Sequence, residues 1–175
     1  MEEAAVRLTE CDERLFRNTV SGLLKQRDVR TMNRFVQHAE ISTLEHCISV
    51  AYVSLWLSEK LRWRVDRSSL VRGAVLHDFF LYDWHEKSGR KGLHGFTHPR
   101  AALENAEARF QLTDRERDII VKHMWPLTPV PPKCREAFLV GAADKYCSLV
   151  ETLAGHTVFS CQKIKKKTPK SLSRR

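Results

Sequence analysis

The stretch that most constrains the fold begins at Ser42-Thr43-Leu44-Glu45. A serine followed three residues later by a glutamate forms a capping box, in which two otherwise unpaired backbone N–H groups are satisfied, so a helix starts there. Beyond it Val50, Val53, Leu57 and Leu61 recur at helical spacing on the side of His46, while Leu44, Ile48, Ala51 and Leu55 cover another side. A helix apolar over most of its circumference is buried. The rest of the chain has to pack around it, and His46, in its first turn, points into protein.

At 175 residues the chain has the length of one domain with a real core. Its 42% hydrophobic and 29% charged residues are those of a soluble folded protein. No apolar run reaches the roughly 18 residues of a membrane span, and Met1-Glu2-Glu3 is acidic where a secretory signal is basic. The five cysteines are odd in number and lack a C-x-x-C pair, against a disulfide framework or a thiolate zinc cluster. Together these predict a cytoplasmic protein with reduced thiols.

The formal charge of +9 is unevenly placed, because residues 160–175 carry seven Lys and Arg and no acid. The folded body is therefore nearly balanced. The basic tail is expected to be disordered and solvated, with nucleic-acid contact as the less favoured alternative. The expected organisation is an N-terminal helical segment over 1–36, a metal-binding domain over 37–159 and the tail over 160–175.

Taken in order, residues 4–30 are loosely amphipathic and predict one or two helices, and residues 31–41 read as a connector. Asp66 or Ser68 can cap a helix running to His77-Asp78, which sit side by side in the apolar stretch Gly73-Ala74-Val75-Leu76-His77-Asp78-Phe79-Phe80. Residues 84–96 hold three glycines and four charged residues, predicting an exposed loop. Thr97 can cap a helix starting at His98-Pro99. A second capping box, Thr113-Asp114-Arg115-Glu116, opens a helix carrying Ile119, Ile120 and His123, and a proline-rich connector follows. A last helix from about Arg135 to Leu153 puts Asp144 on a face of small residues. No strand alternation is evident, so the expected fold is all-α, a bundle of about six to seven helices.

Five helices thus each turn a polar side chain inward: His46, His77 with Asp78, His98, His123 and Asp144. Singly, each reads as a satisfied core histidine or a paired aspartate. Together they form a nitrogen and oxygen donor set without thiolate, which suits a catalytic metal site. Six ligands exceed one tetrahedral ion and fit two divalent ions bridged by a carboxylate such as Asp78. Iron or manganese is expected ahead of zinc, nickel, cobalt or magnesium. Such a site keeps a positive charge, attracts an anion and activates a water.

The order His46, His77-Asp78, His98, His123, Asp144, spread over residues 37–153, resembles the HD-domain superfamily of metal-dependent phosphohydrolases in its two-metal form. The stretches Gln37-His38, His77 to Trp84, His94-Gly95-Phe96-Thr97-His98-Pro99 and His123-Met124-Trp125-Pro126 are similar to a bacterial HD-domain group described as phosphohydrolases. Phe80 and Leu81 stand where the cyclic-dinucleotide phosphodiesterase branch has glycine and lysine, which argues against that activity. The resemblance implies that Asp78 bridges the ions and that a metal-activated hydroxide cleaves a small phosphoester, with a nucleotide as one candidate. The same ligand set implies two alternatives, a di-iron oxygenase of the HD type and a non-catalytic metal- or nucleotide-sensing module.

Other residues are expected in supporting roles. Lys145 is a candidate catalytic group for holding phosphate, as are, more weakly, Lys122, Arg100 and Lys91. His94, and less so His38, is a candidate for proton transfer. Tyr82, Trp84 and Trp125 could stack on a base, though aromatic core positions are commoner, and His85 and His156 read as surface histidines. The expected partners are the small anionic phosphoester and, as an open option, a second copy in a homodimer, with no membrane.

Overall fold

A computed structural model of the chain describes residues 6–38, 40–83 and 94–159. Both capping boxes form. Ser42 accepts from the Glu45 N–H at 3.3 Å while Glu45 accepts back from the Ser42 N–H, and helix α3 (Thr43–Lys60) follows. Thr113 and Glu116 do the same for α6 (Asp114–Lys122). Asp66, rather than Ser68, caps α4 (Arg67–Leu76) by accepting from the Ser69 N–H. Upstream lie α1 (Glu10–Leu23), capped by Thr9, and the short α2 (Arg27–Thr31). The last helix, α7 (Arg135–Ala154), stops where Gly155 takes a left-handed φ of +67° and donates to Glu151 O.

Two boundaries differ from expectation. Residues 31–41 contain a 3-10 turn (Met32–Arg34) and an antiparallel ribbon of β1 (Val36–His38) and β2 (Ile41–Ser42). Strands of three and two residues are too short for period-two alternation to be legible. Helix α5 (His94–Glu107) starts four residues before His98, so Thr97 is not its cap and Pro99 lies inside it. Pro99 has no N–H to return to Gly95 O, a loss tolerated this close to a helix start.

Among the described residues there are seven α-helices, and α3 is central, packing against α4 and α7 along its length. Its apolar circumference requires this: Ile48, Val50, Ala51, Val53 and Leu55 are all at most 1% exposed. Helix α6 lies against α4, α5 and α7, and α1 covers α4. Two glycines set these distances. A Cβ on Gly73 would stand 2.5 Å from Ile119 Cδ1, and one on Gly141 would stand 2.8 Å from the backbone oxygen of His123. These close approaches bring the ends of α4 and α6 and the middle of α7 to one place.

Candidate metal centre

Each polar side chain of the predicted set is held near a helix end or inside the core by its own element. His46 is the fourth residue of α3, His77 and His123 are the residues ending α4 and α6, Asp78 follows His77, His98 lies in the second turn of α5, and Asp144 is midway along α7. All six are buried.

They converge. Asp144 Oδ1 is 3.1 Å from His46 Nε2 and 3.8 Å from His77 Nε2, and His77 Nε2 is 3.5 Å from Asp78 Oδ2. On the other side of Asp78, Oδ1 is 3.2 Å from His98 Nε2 and 3.6 Å from His123 Nε2. Two overlapping triads, His46–His77–Asp144 and His77–Asp78–His123, each bring three donor atoms within 4.8 Å of one another, close enough to hold an ion. The Nε2 atoms of His98 and His123 are 2.9 Å apart. Two imidazole nitrogens about 2.1 Å from one ion at a right angle would stand about 3 Å apart.

The rings are aimed by what their other nitrogens do. A carbonyl can only accept, so His77 Nδ1–H donates to Ala74 O at 2.7 Å and His123 Nδ1–H to Ile120 O at 2.9 Å. His46 Nδ1 bonds Glu151 Oε2 at 2.7 Å. In each case Nε2 is left facing the centre, the orientation that outer hydrogen bonds give metal-binding histidines. The carboxylate of Asp78 is steered likewise, since Gln37 Nε2 donates to Oδ2 at 2.7 Å while Thr43 Oγ1 donates to Gln37 Oε1 at 3.2 Å.

Two atoms at the heart of the cluster, His77 Nε2 and Asp78 Oδ1, are buried without a hydrogen-bond partner. An orphaned buried polar atom costs about 1–3 kcal/mol. A divalent cation would satisfy both, so the donor set fits such an ion in chemistry and in the direction its lone pairs face. Titration in the metal-free protein agrees. Burial alone would lower the pKa of His46, but Asp144 and Glu151 outweigh it and raise it to about 10. His77 is likewise raised against its burial, chiefly by Asp78, whereas His123 is lowered to about 3 by burial and by the charge on His77. Burial opposes ionisation of Asp78 and Asp144, yet the surrounding histidines hold both carboxyls well below their ordinary range. Protons thus stand where cations would bind, and ions must displace them.

The supporting residues divide. Lys145 reaches the site, its Nζ donating to His123 O at 3.1 Å and Gly141 O at 3.0 Å beside the cavity that opens on Asp78 and Asp144. Lys122 does not, because its ammonium is held by Asp118 and Pro131 O. Arg100 pairs with Glu104 in solvent. Tyr82 packs on Phe80, Trp125 faces Phe138, and His156 is exposed. His94 is the first residue of α5. The side chains of His94 and His38, and Trp84, His85 and Lys91, lie outside the described residues.

Sequence reasoning missed two participants. Glu151 is fully buried two turns beyond Asp144 on the same face of α7, a seven-residue spacing that could have pointed to it. Gln37 carries no signal of its role in the sequence, and only the β1–β2 ribbon brings it onto Asp78.

The family model of the HD domain matches residues 43–149. The chain belongs to the HD-domain family. This is a superfamily of metal-dependent phosphohydrolase type, and the matched HD domain runs from the start of α3 to near the end of α7, including all six converging residues. Gln37 and Glu151 lie just outside the matched span. No curated protein and no solved structure matches the chain. Among the described residues no helix is long and apolar enough to cross a membrane.

Proposed function

We propose that the chain is a metal-dependent phosphohydrolase cleaving a small anionic phosphoester, with a nucleotide among the candidates, and that His46, His77, Asp78, His98, His123 and Asp144 hold two divalent ions. The observation that carries this reading is the pair of orphaned atoms, His77 Nε2 and Asp78 Oδ1, buried where the two triads meet. A nitrogen and oxygen set without thiolate favours iron or manganese, with zinc, nickel, cobalt or magnesium as alternatives. Ions bound there would supply Lewis-acid polarisation of a phosphoryl oxygen and a water of lowered pKa.

The chain's own groups do the positioning. Gln37 holds Asp78 Oδ2, which leaves Oδ1 toward the His98 and His123 nitrogens. Glu151 and the Ala74 and Ile120 carbonyls fix three imidazole rings. Lys145, anchored on two carbonyls, keeps a third N–H for a phosphoryl oxygen. His94, at the start of α5, is the proposed proton-transfer group.

The test is metal content per chain, measured by inductively coupled plasma mass spectrometry on protein purified without chelator, together with phosphate release. Wild type is expected to hold two ions and release phosphate, and Asp78→Ala to lose both properties. Full turnover by Asp78→Ala, or iron-dependent oxygen consumption without phosphate release, would refute the proposal.

A further inference from the structure

The cavity beside Asp78, His98, His123 and Asp144 has a volume of about 580 Å3, and its remaining lining is unlike a nucleotide site. Met124, Leu127 and Leu149 border it, and the two leucines keep 51% and 59% of their surfaces exposed. Leu127 and Met124 close against the start of α5, where a Cβ on Gly95 would stand 3.2 Å from Leu127 Cδ2 and 3.8 Å from Met124 Cε.

The polar side chains of the same lining are already engaged. Ser148 donates to Asp144 Oδ1, Thr152 to Ser148 O at 2.7 Å, and Gln37 to Asp78 Oδ2. Lys145 gives two N–H groups to backbone carbonyls. Among the described residues the cavity therefore offers one remaining ammonium donor beside the converging carboxylates and imidazoles, and then an apolar wall. Apart from the second N–H of Gln37, the described side chains of the lining hold no free amide or hydroxyl donor to read sugar hydroxyls or a base edge, the kind of group on which polar discrimination depends. Among the described residues of the lining, additional phosphates would meet no further cation.

We infer that the site takes phosphate monoesters of apolar alcohols, with an alkyl or aryl group lying on Met124, Leu127 and Leu149 and a single phosphate at the Asp78 and Lys145 end. This rests on the phosphohydrolase reading above and narrows it. Hydrolysis consumes one water and breaks the bond between phosphorus and the ester oxygen. The alcohol leaves with a proton, and inorganic phosphate is released.

The experiment uses the full chain loaded with manganese. Phosphate release is followed from methyl, hexyl and phenyl phosphate, AMP and ATP, and binding of methylphosphonate and hexylphosphonate by calorimetry. The proteins are wild type, Leu127→Ser with Leu149→Ser, and Leu61→Ser, the last changing a leucine 50% exposed at the far end of α3. We expect kcat/KM for hexyl phosphate about tenfold or more above methyl phosphate and AMP, from apolar burial. The ratio falls toward one in the double variant and persists in Leu61→Ser. Preference for AMP or ATP, or a ratio indifferent to the double variant, overturns the inference while leaving the phosphohydrolase reading intact. If no ester is cleaved, that reading fails, and the phosphonates still decide this one. Hexylphosphonate binding about tenfold tighter than methylphosphonate, lost in the double variant, supports it, and equal binding overturns it.

Discussion

Gly141→Ala isolates the packing that brings α7 against the end of α6. The added methyl would stand 2.8 Å from the His123 carbonyl oxygen and 3.6 Å from its carbon. Ordinary contact starts near 3.4 Å, so the His123 backbone or α7 must yield by about half an ångström, and a backbone atom cannot rotate away. Overpacking of this kind costs about 1–3 kcal/mol, while replacing a helical glycine with alanine returns about 0.5–1 kcal/mol. The net loss expected is about 1 kcal/mol, or a fall of roughly 2–4 °C in Tm for a chain of this size. If His123 holds an ion as proposed, the effect on the site is larger than the effect on stability, because a shift of about half an ångström exceeds the tolerance of about 0.2 Å in ligand distance. Gly22→Ala in α1 is the control, since nothing lies within 4 Å of its new methyl, and it should stabilise the protein. Thermal melts and metal analysis of the two variants give the test. If Gly141→Ala melts as high as Gly22→Ala and keeps its full metal complement, the close approach does not position His123, and the reasoning is refuted.

Three further outcomes are expected. Glu151→Gln should weaken metal binding by about 10–100-fold, read by competition with a chromophoric chelator, and unchanged affinity would remove Glu151 from the site. In chelator-treated protein, His46 is raised from 6.5 to about 10, so the stability it contributes is complete below pH 6.5 and is lost as pH climbs toward 10. Tm should therefore fall between pH 6.5 and 10, and a rise over that window would contradict the ion pairing. Because the same protons must leave for metal to bind, metal affinity should increase across this range, measured by titration at successive pH values.

Much of the fold was legible from side chains that act locally. Ser42, Asp66 and Thr113 announce helix starts because a short polar side chain before an apolar run has one good use, and each caps as expected. The start of α5 was not legible, since Gly95 and the polar residues around it read as a loop, and the β1–β2 ribbon is stabilised by its neighbours rather than by a pattern of its own. The six converging side chains could be named because polar groups on apolar faces require partners. Gln37 and Glu151 escaped for the opposite reason, as their roles depend on where chains distant in sequence meet: Gln37 reaches Asp78 across 41 positions and Glu151 reaches His46 across 105.

The helices that frame the centre do not all face it with the same end. Helices α4 and α6 deliver His77 and His123 from their carboxyl ends, where exposed carbonyls sum to about half a negative charge, whereas α3 and α5 present amino ends of opposite sign near His46 and His98. The backbone alone therefore gives the centre a polarity, with one side welcoming cations and the other an incoming anion. No single side-chain substitution removes that field, so a Lys145→Ala protein should still draw a phosphate toward the amino end of α5, where Gly95 lines the cavity, read as phosphate binding retained in calorimetry.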